Sequence, residues 1–262
     1  MESLRTYGQP PLDVALVHGG PGARGEMEPV ARELAPDRGV LEPLQAATTL
    51  QGQVEELSAA IGASADWPVS LVGFSWGAWL SYIVAAQRPT LVKKLILVGS
   101  GPFEQRYVPS IEQARLSRLS KQERAEFKAI IERLGDPDAV GKAEAFARLG
   151  ALATKTDTYD RIGSDGGQAD TNGGGNDYHG VLQEALAMRS SGKLLALADN
   201  ITCPVVAIHG DDDPHPVDGV DAPLSAKLPG FRMIRLSRCG HKPWVERHAR
   251  DAFHACLRAE LG

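Results

Sequence analysis

The stretch Val69–Gly77 reads Val-Ser-Leu-Val-Gly-Phe-Ser-Trp-Gly. Val69–Val72 is an apolar run of strand character, and Ala78–Gln87 beyond it has the character of an apolar helix. So sharp a turn between a strand and a helix pushes Ser75 into a strained backbone conformation, expected at φ > 0. Strand and helix then approach so closely that side chains at Gly73 and Gly77 would collide, which glycine avoids. The hydroxyl of Ser75 is lifted above the sheet and set at a helix N-terminus, where developing negative charge is favoured. A glycine-rich turn whose serine merely caps the helix would show the same five residues. The flanking strand and helix are what argue for an exposed nucleophile.

The rest of the chain alternates in the same way. Leu12–Val17, Gly39–Leu44, Val92–Val98, Pro204–His209 and Phe231–Leu236 are further strand candidates. Helical patterns separate most of them, at Glu26–Leu34, in a stretch opened by Thr48 and Gln51, and at Ala222–Leu228, and Val245–Leu261 closes the chain. Strands alternating with helices imply parallel pairing, because parallel strands need crossover connections. The expected fold is therefore α/β, a mostly parallel doubly wound sheet of about six strands. Between 103 and 200 the rhythm changes. Ser120–Leu134, Ala139–Leu152 and Val181–Leu197 are helical in pattern, Ser164–Asp177 is a glycine-rich loop, and no strand is expected. This block reads as a helical cap, 103–200, inserted into a core made of 1–102 and 201–262. It is expected to cover the carboxyl edge of the sheet, where ligands bind in open α/β folds.

Bulk properties exclude several function classes. The chain has 262 residues, 43% hydrophobic and 23% charged, with a net charge of −5. It has no basic stretch able to grip a phosphate backbone, so nucleic acid is not expected as a partner. No apolar run approaches the ~18 residues of a membrane span. Met1–Pro11 lacks the apolar core of a signal peptide. The three cysteines (Cys203, Cys239, Cys256) have no metal-ligand spacing and read as reduced thiols of a cytoplasmic protein. Cys239 stands two residues before His241, and residues so close along a loop seldom point at each other, so a packing role is expected for it.

A serine hydroxyl needs a base in hydrogen-bond reach, and the base needs an orienting carboxylate. His241 follows the last strand in a loop headed by Gly240 and is the expected base. His18 precedes the glycine turn His18-Gly19-Gly20-Pro21-Gly22 and is expected to organise that loop. His209 at a strand end and His215 between prolines read as packed or solvated side chains. Asp211, Asp212 and Asp213 compete for the acid position. Three adjacent carboxylates repel if all point inward, so most must face water. The glycines from Gly19 to Gly22 let backbone N–H groups face a ligand, and such a loop beside Ser75 could supply an amide to an oxyanion.

Together these segments resemble the α/β-hydrolase-fold serine hydrolases over nearly the whole chain. The His18-Gly19-Gly20-Pro21-Gly22 loop and the Gly73-Phe74-Ser75-Trp76-Gly77 elbow resemble those of the proline iminopeptidase-like group. Gly210-Asp211-Asp212-Asp213 resembles the superfamily's acid loop, and Gly240-His241 its terminal Gly-His. The resemblance implies Ser75 as nucleophile, Asp213 as orienter and His241 as base, in the chain order Ser…Asp…His. It implies an oxyanion hole from the Gly20 and Trp76 amides, with His18 and Gly19 as supporting loop. It implies no metal and no organic cofactor, and a small ester, amide or N-terminal aminoacyl substrate. Met1–Pro11 is too short for the pair of antiparallel strands usual before the His-Gly strand, so the sheet is expected to be trimmed at that edge. Iminopeptidases bind the substrate's free amine with acidic cap residues, but Glu126, Glu132, Glu144 and Glu184 read as solvated helix charges. Two alternatives share the scaffold: a non-catalytic small-ligand-binding protein and a carbon–carbon bond hydrolase.

Overall fold

A computed structural model describes residues 2–136, 139–163 and 178–262. The chain begins with β1 (Leu4–Tyr7), β2 (Leu12–Val17), α1 (Glu28–Leu34), β3 (Gly39–Pro43), α2 (Leu50–Ser64), β4 (Val69–Phe74), α3 (Trp76–Gln87) and β5 (Val92–Val98). The described helices α4 (Val108–Ser117), α5 (Lys121–Gly135), α6 (Lys142–Thr156), α7 (His179–Ser190) and the short α8 (Lys193–Ala196) follow before the next strand. β6 (Val205–Gly210), α9 (Asp218–Lys227), β7 (Arg232–Leu236) and α10 (Arg250–Leu261) close the chain.

The strands form one seven-stranded sheet in the order β1-β3-β2-β4-β5-β6-β7. Only β1 runs antiparallel, pairing with β3 from Leu4↔Pro43 to Tyr7↔Val40. Each of the six strand candidates is a strand, β2 to β7. The seventh, β1, is a single strand at the trimmed edge, and its Leu-Arg-Thr-Tyr sequence is only half-buried, so it carries no apolar run. Alternate residues of the central strands feed opposite faces, as the period of two requires. Ala15, Val17, Leu71, Leu95 and Leu97 join a core with α2, α3 and α9. Val14, Leu16, Val72, Ile96 and Val98 join a second core with α1 and α10. The result is a three-layer α/β/α body.

Strand order fixes where a ligand can sit. The chain leaves β2 for β3 on one side and returns to β4 on the other, so β2 and β4 are neighbours, in register from Val14↔Ser70 to Val17↔Gly73. The loops after these two strands therefore leave the same sheet edge side by side, at the topological switch point. The turns after β6 and β7 leave that edge too.

Local signals mostly set the helices. The α2 cap is Thr49, one residue beyond the expected Thr48, and its hydroxyl accepts from the Gly52 N–H at 3.1 Å. Gln51 reaches Glu55 instead of closing a capping box. A reciprocal box does open α5, between Ser120 and Glu123. Helix α4 buries none of its residues, which explains why no apolar periodicity announces it. The expected glycine-rich loop Ser164–Asp177 lies outside the described residues. Leu119, Phe127, Ile130, Ala145 and Leu152 form a small apolar cluster of their own within the inserted helices. Among the described residues, no helix is long and apolar enough to cross a membrane.

Candidate active site

Ser75 is the single residue between β4 and α3, at φ 52° and ψ −114°. It is the strained positive-φ serine that the sequence requires, a conformation that costs on the order of 1–3 kcal/mol. The Ser75 N–H is held by the Val98 carbonyl at 2.9 Å, which ties the elbow to β5. Both elbow glycines are needed. A Cβ at Gly73 would stand 2.1 Å from the Gly77 carbonyl oxygen, and one at Gly77 would stand 2.4 Å from the His18 carbonyl oxygen. The first contact is the expected strand–helix collision. The second shows α3 also pressed onto the end of β2.

The loop after β2 is braced from inside. His18 is fully buried, and its Nδ1–H donates to the Gly19 carbonyl at 2.8 Å. Burial pulls its pKa down, so the ring is neutral. The Gly19 N–H donates to Glu26 Oε2 at 3.0 Å, and Glu26 Oε1 pairs with Lys242 Nζ at 2.5 Å. Glu26 thus joins the glycine loop to the loop that carries His241. Nothing in the sequence marked Glu26, which reads as the first turn of a helix. Gly20 and Trp76 line the same cavity as Ser75. Among the described residues, neither of their backbone N–H groups is taken up by a hydrogen bond.

His241 lies between Ser75 and Asp213. His241 Nε2 lies 3.0 Å from Ser75 Oγ, and its Nδ1 lies 2.7 Å from Asp213 Oδ2. Of the three adjacent acids only Asp213 is buried. Asp211 pairs outward with Arg235 at 2.7 Å. The Asp213 carboxylate is closed in by three imidazoles. Oδ1 accepts from the His215 backbone N–H and ring Nδ1, each at 2.9 Å, and His209 Nε2 lies 3.4 Å from Oδ2. Burial alone would raise its pKa, but His241, His215 and His209 hold it well below the usual carboxylate range. Burial would likewise lower the His241 pKa; the charge and hydrogen bond of Asp213 override it and lift His241 above 6.5. His215 goes the other way, kept low chiefly by burial. Asp213, His215 and His241 offer one donor atom each within 4.8 Å, a set that could hold a cation. Their mutual hydrogen bonds already account for that closeness.

Two features were not legible beforehand. His215, expected to be packed or solvated, stacks on His241 with centroids 4.6 Å apart and lines the cavity. The His241 loop is also clamped to the inserted segment. The His241 N–H donates to the Asp157 carbonyl at 2.7 Å, and the Asp157 side chain is held by Arg115. Buried Glu246 accepts from the N–H groups of Tyr159, Asp160 and Gly240 at 2.8–3.0 Å. The contacts of His241 with Asp157 and of Glu246 with Tyr159 and Asp160 join residues about 85 positions apart, so no local pattern could have revealed them. Cys239 is fully buried and burial raises its pKa, in keeping with a packing role.

The cavity beside Ser75 has a volume of about 240 Å³. Its wall is largely apolar, with Trp76, Trp79, Ile111, Leu182 and Leu186, and α7 contributes Arg189. The four glutamates expected in a cap lie elsewhere: Glu132, Glu144 and Glu184 are exposed, and Glu126 pairs with Arg148 at 2.7 Å.

Similar solved structures include VinJ (17% identity, TM-score 0.67, covering 98% of this chain and 93% of that one). Others are a proline iminopeptidase of Mycobacterium smegmatis (19%, TM-score 0.62, 98% and 93%) and an enol-lactonase of Burkholderia xenovorans LB400 (17%, TM-score 0.60, 98% and 95%). At such identities the likeness is one of fold. No curated protein matches the chain significantly in sequence. The family model described as alpha/beta hydrolase family matches residues 14–255, nearly the full length. The chain belongs to the alpha/beta hydrolase family.

Proposed function

We propose that this protein is a serine hydrolase working through an acyl-enzyme at Ser75. The observation that carries the reading is the unbroken relay Ser75 Oγ–His241 Nε2 at 3.0 Å and His241 Nδ1–Asp213 Oδ2 at 2.7 Å, set on a strained elbow. Ser75 Oγ attacks the substrate carbonyl carbon and its proton passes to His241 Nε2. Asp213 stabilises the imidazolium that forms and fixes its tautomer. The oxygen of the tetrahedral intermediate accepts from the Gly20 and Trp76 amides, each worth about 3 kcal/mol of barrier in a well-formed hole. The imidazolium then gives its proton to the leaving alcohol or amine as the carbon–heteroatom bond breaks. Water enters, loses a proton to His241 and attacks the acyl carbon; as the intermediate collapses, the C–Oγ bond breaks, His241 returns that proton to Ser75 Oγ and a carboxylic acid leaves.

In this reading the inserted helices act as a cap, and the clamp from Asp157 and Glu246 keeps His241 in line with Ser75. The cavity suits a small ester or amide. Among the described residues lining it there is no carboxylate to receive a substrate's free amine, which weighs against an N-terminal aminoacyl substrate. Structural neighbours named as an iminopeptidase, a thioesterase domain and an enol-lactonase fit acyl transfer without fixing the bond.

The test is a panel of short 4-nitrophenyl esters and aminoacyl arylamides run across pH. The base must be neutral, and the Asp213 charge raises the His241 pKa, so kcat/KM should rise with pH through one ionisation above 6.5. Failure of every acyl substrate to turn over, or a rate that falls over this range, would reject the proposal.

A further inference from the structure

Arg189 occupies an unusual position for a cation. It lies in the last turn of α7, is only 8% exposed, and lines the cavity that holds Ser75. Arginine is rarely buried without an acidic partner. Here the guanidinium sits over the Trp79 ring, 5.4 Å from its centroid, and Nε–H donates to Gln105 Oε1 at a long 3.3 Å. Among the described residues no carboxylate pairs with it, and burial alone depresses its pKa. His215, the other titratable side chain on the wall, is held low by burial, so Arg189 is the permanent charge among the described lining residues.

The indole face and the carbonyl end of α7 offset part of the cost of burial. Neither offers the in-plane acceptor pair that a guanidinium fork fits. We infer that the substrate attacked by Ser75 carries a carboxylate, which Arg189 receives within the same cavity. This rests on the serine hydrolase reading and narrows it to acidic esters or amides. An apolar wall with one fixed cation favours an anion over a neutral chain of equal length, and repels an ammonium group.

Two matched pairs test this. Mono(4-nitrophenyl) glutarate against 4-nitrophenyl pentanoate places the carboxylate on the acyl side. 3-Acetoxybenzoate against phenyl acetate places it on the leaving side. In the wild type the anionic member of at least one pair should have about tenfold or greater kcat/KM, the usual worth of a hydrogen bond to a charged group. Arg189→Gln should bring that ratio close to one. Arg189→Lys, which keeps a cation against Trp79, should leave an intermediate ratio. A wild type with no preference for either anion, or a preference that survives Arg189→Gln, overturns the inference. If no ester is turned over and Ser75 is not labelled by an activity probe, the hydrolase reading fails instead. Calorimetric titration with glutarate then decides: binding about tenfold weaker in Arg189→Gln keeps the anion site, and equal or undetectable binding in both proteins removes it.

Discussion

Replacing Ser75 with alanine is expected to lower kcat for ester hydrolysis by about 10⁴- to 10⁶-fold, the range seen when a triad nucleophile is removed. The fold should survive. Ser75 Oγ makes its hydrogen bond to His241, and among the described residues no other side chain bonds to it. Alanine must adopt the same φ of 52°, so the backbone strain is the same before and after. The stability change should stay below about 1 kcal/mol, the net worth of one hydrogen bond. Initial rates on a 4-nitrophenyl ester and a thermal melt check both halves. A variant that keeps more than a hundredth of wild-type kcat would place the nucleophile elsewhere.

Asp213→Asn should cost roughly 10⁴-fold in kcat, because an amide can present an N–H where His241 needs an acceptor and so favours the wrong tautomer. It should also cost stability, by about 3–5 kcal/mol if it behaves as the loss of one partner from a buried charged pair. The carboxylate accepts from His215 through Oδ1 and from His241 through Oδ2, and an amide cannot accept at both atoms. The residual activity carries a second signature. The His241 pKa is raised by the Asp213 charge against the effect of burial. Without that charge burial prevails, and the acid limb of kcat/KM should move to lower pH. Asp212→Asn, one residue away and half-exposed, should change neither rate nor pH profile. Chemical denaturation and a pH series on the three proteins decide it.

Much of this site was readable from the chain because elbow, glycine loop and Gly-His turn are local devices. Ser75 at positive φ and the tight glycines Gly73 and Gly77 follow from steric rules within a few residues, whereas repulsion among Asp211, Asp212 and Asp213 says only that most of them face water, and it is the resemblance of the acid loop that singles out Asp213. The six strands β2 to β7 were equally legible, since each is a short stretch rich in apolar residues, even where lysines or arginines interrupt it as in β5 and the edge strand β7. What stayed hidden depends on distance along the chain. Glu246 holds Gly240, Tyr159 and Asp160 together across some 85 positions, and Glu26 joins Gly19 to Lys242. His215 could be read only as packed or solvated, and it is packed: the buried Asp213 draws its ring inward, a contact that its place between two prolines does not announce. β1 and α4 escaped because half-buried and exposed elements lack an apolar stripe.

Peptide mapping after treatment with a fluorophosphonate probe reaches the heart of the mechanism. The account predicts one adduct per chain, on the peptide containing Ser75, forming faster as His241 loses its proton. An active enzyme whose adduct lies on any other residue, or one that turns over esters while Ser75 stays unmodified, would contradict it.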